Sequence, residues 1–130
     1  MNAVDARGCA VSGSTPAARD AYEQALARAL AWRSDSAAPL VRALDEAPGF
    51  VMAHVLQAYK LVCSRDPRSL AAARPIVARA ATLPANARER LHLAAIDSVL
   101  GDDYEGAKAC LSALLDEHPR DVVALHAVHA

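Results

Sequence analysis

The chain has 130 residues, room for one domain, and carries 14 basic and 15 acidic residues for a net charge of −1. Both signs are scattered, so no basic stripe exists to displace counterions from a nucleic acid, and no charged tail is present. Hydrophobic residues make up 54% and aromatics only 4%, because alanine fills about a quarter of the sequence. Alanine is the strongest helix former, and β-branched residues never alternate with polar ones over a strand length, so the composition predicts an all-α protein.

Residues 1–14 are rich in glycine, serine and alanine without periodicity, which predicts a flexible leader ahead of a helical domain over residues 15–130. Asp5 and Arg7 interrupt any signal-peptide core there. No apolar run approaches a transmembrane length, so no membrane association is expected and the chain is placed in the cytoplasm. The cysteines, Cys9, Cys63 and Cys110, are odd in number and widely separated. Cys63 and Cys110 fall among helical apolar residues, where reduced, buried thiols are expected.

The first helix starts at Thr15-Pro16, an N-cap followed by proline, and carries Tyr22, Ala25, Leu26, Ala29, Leu30 and Trp32. A break at Arg33–Ser36 leads to a second helix that keeps Pro39 in its first turn, carries Leu40, Val41 and Leu44, and stops before Pro48-Gly49. A third covers Phe50 to Cys63 with Val51, Val55, Ala58, Leu61 and Val62 inside. A fourth follows Asp66-Pro67 and reaches about Leu83, and Pro75 within it is expected to kink or split it. The fifth opens at Asn86 with Glu89 as the return partner of a capping box and ends at Gly101. The sixth opens at Asp102 or Asp103 and ends near His118, and the seventh opens at Asp121. Pro48, Pro84 and Pro119 close successive pairs at intervals of 36 and 35 residues, the beat of a helical-hairpin repeat.

The third pair carries a string, Gly101-Asp102-Asp103-Tyr104 followed by Ala107, Leu111, Leu114, Leu115 and Pro119, that resembles the second helix of a tetratricopeptide repeat. Ala53, Ala58 and Leu61 with Ala73, Val77 and Ala80 resemble it in the second pair, and Leu40, Ala43, Leu44 and Pro48 in a degenerate first. Residues 48–56, Asn86–Arg90 and the closing His118-Pro119-Arg120-Asp121 are similar to the N-terminal part of bacterial proteins of the tetratricopeptide repeat protein 38 type, which are considerably longer. The resemblance implies an αα-hairpin solenoid of about three hairpins plus an unpaired last helix. In it, Ala107 marks the close crossing of two helices, flanked by Tyr104 and Leu111.

The resemblance also implies a concave groove for a peptide or protein partner. His92 and His126 are 34 residues apart and would occupy equivalent positions on successive first helices. Val55, Tyr59, Glu89 and Ile96 complete the expected groove, mainly apolar with a Tyr/Glu/His polar set. Val55 and His92 stand where a carboxylate clamp would place lysine, so binding of chaperone C-termini is disfavoured. Val122, Leu125 and Val128 on the last helix form a second candidate surface, through which a truncated repeat protein would self-associate.

Enzymatic constellations are weak. The serines lack a nucleophile-elbow context and the glycines form no phosphate loop, so no catalytic residues and no cofactor are expected. His126 and His129, with His92 as a third ligand, could in principle hold a metal. Without a second Cys or carboxylate at helical spacing, surface or groove histidines are the simpler reading. A non-enzymatic binding scaffold is therefore the expected function.

Overall fold

The computed structural model describes residues 3–31, 33–64 and 66–128. Trp32 and His129 lie outside the described residues. Among those described, seven α-helices form: α1 (Pro16–Leu30), α2 (Ala37–Glu46), α3 (Val51–Cys63), α4 (Pro67–Ala80), α5 (Ala87–Leu100), α6 (Tyr104–Glu117) and α7 (Val122–Val128). A 3₁₀ turn at Ser34–Ser36 leads into α2. The only extended pairing among the described residues is an isolated antiparallel bridge between Val4 and Ala10.

Side-chain caps set the helix starts. Thr15 Oγ1 accepts the Ala18 N–H at 3.2 Å, Asp66 the Arg68 N–H at 3.0 Å and Asp103 the Gly106 N–H at 2.9 Å. Asn86 and Glu89 close a complete capping box, each side chain accepting the other's backbone N–H. Such caps satisfy N–H groups that the first turn leaves without partners. After α5 the left-handed position is taken not by Gly101 but by Asp102, with φ of +63°, a conformation that Asp tolerates better than most residues.

The helices pack as three adjacent αα-hairpins, α1 with α2, α3 with α4 and α5 with α6. Neighbouring hairpins meet through α2 against α3, α4 against α5, and α3 against α5. Ala18, Ala25, Ala43, Ala53, Ala73 and Ala80 are fully buried, so backbones approach closely where a larger side chain would hold them apart. Tyr22 of α1 and Phe50 before α3 join the first two hairpins, with ring centroids 5.1 Å apart. In the third hairpin Ala107, Leu111 and Leu114 are buried, but Tyr104 is 47% exposed and does not fill the helix crossing. The cysteine expectation also needs correction: Cys63 is exposed and Cys110 half-buried, while Cys9 is the buried thiol.

The last helix departs from a simple continuation. Helix α7 packs on α6 and reaches across to α3, so its residues do not repeat the environment of α5. Pro75 does not split α4, which runs as one helix from Pro67 to Ala80. Ala71 and Pro75 are both exposed, so the carbonyl left without its donor lies on the solvent side, where water can satisfy it.

That placement gives a direct test. Pro75→Ala restores one helical hydrogen bond at an exposed site, and should raise stability to urea by about 2 kcal/mol after the loss of proline's restriction of the unfolded chain. An unchanged or lower urea midpoint would show that Pro75 fixes a bend the packing needs.

Candidate functional site

Residues 3–14 do not behave as the free leader that their composition suggests. They fold back as a short loop, with the Val11 N–H donating to the Ala3 carbonyl and the Asp5 N–H to Cys9, both at 2.9 Å. Arg7 donates to both oxygens of Glu23 on α1 at 2.9 and 3.0 Å, a bidentate geometry that fixes direction as well as distance. Cys9 and Val11 are buried. Burial pushes the Cys9 thiol up, so it is a packing residue rather than a reactive one.

The segment is held on its far side by the first turn of α5. Arg88 Nη2 and Asn86 Nδ2 both donate to the Ala10 carbonyl, at 2.8 and 3.1 Å. Two residues on, the Ser12 N–H donates to Glu89 Oε2 at 2.9 Å, and the Ser12 carbonyl accepts the Val51 N–H at 3.3 Å. Gly13 then passes against the Gly49 carbonyl so closely that a Cβ would overlap it, with φ of +75°. Glycine is required there on both counts.

Beneath this strap a run of buried polar groups crosses the hairpins. Tyr59 on α3 and His92 Nδ1 on α5 are 2.8 Å apart, His92 Nε2 and Asp121 Oδ2 are 2.7 Å apart, and Arg88 Nη1 donates to the same Oδ2 at 2.7 Å. His92 is 0%, Asp121 2% and Arg88 3% exposed. Because an ionised carboxylate only accepts, the arrangement that satisfies each ring nitrogen has His92 Nε2–H donating to Asp121 and the Tyr59 hydroxyl donating to Nδ1. Asp121 Oδ1 accepts the Ala124 N–H at 3.0 Å and so starts α7 as well.

Burial by itself would raise the Asp121 carboxyl. The hydrogen bonds donated by His92, the Ala124 N–H and Arg88 outweigh it and hold that carboxyl well below the usual range. Burial also pushes the Tyr59 phenol well above its ordinary value, with the Asp121 charge acting in the same direction, so its proton stays on oxygen. The groups have the types of a proton relay, but they are buried and their hydrogen-bonding capacity is used within the chain.

The expected groove residues are thus brought together, but as core rather than as open surface. Val55, Tyr59, Glu89, His92 and Ile96 are all buried, with Glu89 capped by the strap through the Ser12 N–H and His92 engaged by Asp121 ahead of α7. The equivalence of His92 and His126 fails, because α7 crosses toward α3 and meets His92 through Asp121. His126 is only half-buried, on the side of α7 near Tyr59. Val122 is half-buried, whereas Leu125 and Val128 are 48% and 38% exposed. Among the described residues no cluster of three His, Cys, Asp or Glu has metal-site geometry, and both nitrogens of His92 are engaged within the chain. Also among the described residues, no helix is long and apolar enough to cross a membrane.

Sequence reasoning missed Arg88, Asp121 and the strap residues Ala10, Ser12 and Gly13. Asp121 was visible only as a helix start. The 33-residue separations of Tyr59 from His92 and of Arg88 from Asp121, close to the repeat length, are the signal that could have paired them. No family model, curated protein or solved structure matches the chain.

The depressed Asp121 carboxyl sets a sign for the effect of pH. Its contribution is complete at neutral pH and is lost as pH falls below the ordinary Asp value of about 4 toward the lowered one. Asp121→Asn should cost about 3–5 kcal/mol near pH 7, since it leaves Arg88 buried without its counter-charge. In urea titrations the gap from wild type should narrow as pH is lowered from about 5 to about 2. A gap constant over that range would contradict the assignment.

Proposed function

We propose that this chain is a non-enzymatic binding and scaffolding module of tetratricopeptide type, whose inner face holds an extended polypeptide segment by its backbone. One observation carries the reading: the face formed by the start of α3 and the first turn of α5 already grips a short stretch of backbone, residues 10–12, at the end of the folded-back loop. Arg88 and Asn86 donate to one carbonyl and Glu89 accepts the N–H two residues later. Contacts to backbone groups do not depend on side-chain identity, and stacked helical hairpins form the extended concave surfaces on which such segments can lie. The hairpin arrangement and the small residues at its crossings are compatible with the same assignment.

A catalytic reading has less support. The Tyr59–His92–Asp121 run resembles a relay only in composition, because its members are buried and already saturated by one another.

The segment-holding reading is open to a trans-binding test. Gly13→Val places a side chain against the Gly49 carbonyl and should release the strap, seen as lost hydrogen-exchange protection at the Ser12 amide. A synthetic peptide of residues 3–14 should then bind the variant at least about tenfold more tightly than wild type, whose own strap competes at high effective concentration. A folded variant with an unprotected Ser12 amide that ignores the peptide would overturn the proposal.

A further inference from the structure

A second feature lies away from the strap, where α1, α3 and α7 converge without closing on one another. A cavity of about 300 Å³ opens there, at the lower end of the about 300–1,000 Å³ typical of small-molecule sites. Its walls are apolar: Leu26, Ala29 and Leu30 from α1, Leu56 and the Tyr59 ring from α3, and Val123 and Ala127 from α7.

Its polar lining is one-sided. Arg33, Lys60 and His126 contribute to it, and no Asp or Glu does. Arg33 is engaged by Asp35 at 2.6 Å. Lys60 has no ion-pair partner among the described residues, and burial alone lowers its ammonium. Ser36 also lines the cavity, fully buried and with its Oγ lacking any hydrogen-bond partner. A partly desolvated ammonium without a counter-charge, in the same cavity as an unsatisfied hydroxyl, is costly in an empty site and favourable in one that receives an anion.

We infer that this cavity binds a small apolar monocarboxylate, its chain lying between α1, α3 and α7 and its carboxylate paired with Lys60. A single unpartnered ammonium matches one negative charge. A dianion such as a phosphate monoester would carry an uncompensated charge into an apolar slot. The volume suits an acyl chain of octanoate size. The inference is independent of the strap, since none of residues 3–14 lines the cavity.

Calorimetric titration of the full chain with octanoate, octylammonium and n-octanol tests it. Octanoate should bind with one site and a Kd of about 10–100 μM, with octanol at least about tenfold weaker and octylammonium weaker still. Lys60→Met keeps an unbranched stem and removes the charge, so it should weaken octanoate about tenfold while leaving octanol unchanged. Ala29→Phe, which fills the cavity, should abolish both, with far-UV circular dichroism and the urea midpoint reporting that the variant folds. The assignment fails if wild-type protein shows no octanoate binding below 1 mM, on the order of the weakest affinity such a site would have. It fails equally if octylammonium binds as well as octanoate. Binding unaffected by Ala29→Phe in the folded variant would place the ligand elsewhere and also refute it.

Discussion

A carboxylate that is almost entirely out of water imposes its requirements on everything around it. Asp121 takes two charge-bearing or polarised donors, from Arg88 and His92, on one oxygen and a backbone N–H of α7 on the other. Removing an ion from water costs several kcal/mol, and only well-placed donors offset it. Because the donors stand on α5, Tyr59 on α3 and the acceptor at the start of α7, three helices are held at one relative setting. The second Nη of Arg88 extends the same requirement to the Ala10 carbonyl. The Arg88 Nε has no partner, so this arrangement is better understood as fixing one packing among several than as maximising stability.

The alanine content acts in two opposite ways. Between helices of a hairpin it allows close approach, and the fully buried alanines sit at such contacts. Where three helices converge, small side chains cannot fill the interstice, and Ala29 and Ala127 line the resulting cavity between α1, α3 and α7. With only one Phe in the chain, and that residue committed to Tyr22, no large side chain among the described residues fills the gap. Close packing in the hairpins and open space between α1 and α7 therefore follow from the same composition.

Helix positions were legible because they are written in side chains. Thr15, Asp66, Asn86 and Asp103 accept backbone N–H groups at helix starts, and prolines follow helix ends at repeat-length intervals. What was not legible depends on backbone groups or on a change of direction. The strap is gripped through the Ala10 carbonyl and the Ser12 N–H, which leave no mark on residue type, so a segment of small residues was read as unattached. The pairing of His92 with His126 assumed that α7 continues the stacking of first helices. Its crossing toward α3 puts Asp121 in that role instead, and no local pattern in residues 119–128 announces the turn. Tyr104 matched a family position by spacing, yet its surroundings leave it largely in solvent.

The strap's mode of attachment constrains what could ever replace it. If residues 3–14 left, Arg88 would lose the Ala10 carbonyl and Glu89 would lose the Ser12 N–H, each a buried group with an unmet requirement. An incoming segment would have to present a carbonyl and, two residues later, an N–H, in extended conformation. It would also need a residue able to pass the Gly49 carbonyl with positive φ one position further on, which in practice means glycine. Selectivity at this face would then come from backbone geometry and the glycine requirement, not from complementary charge. That is consistent with a face that contains buried Arg and Glu, yet directs both of them at main-chain atoms of the strap.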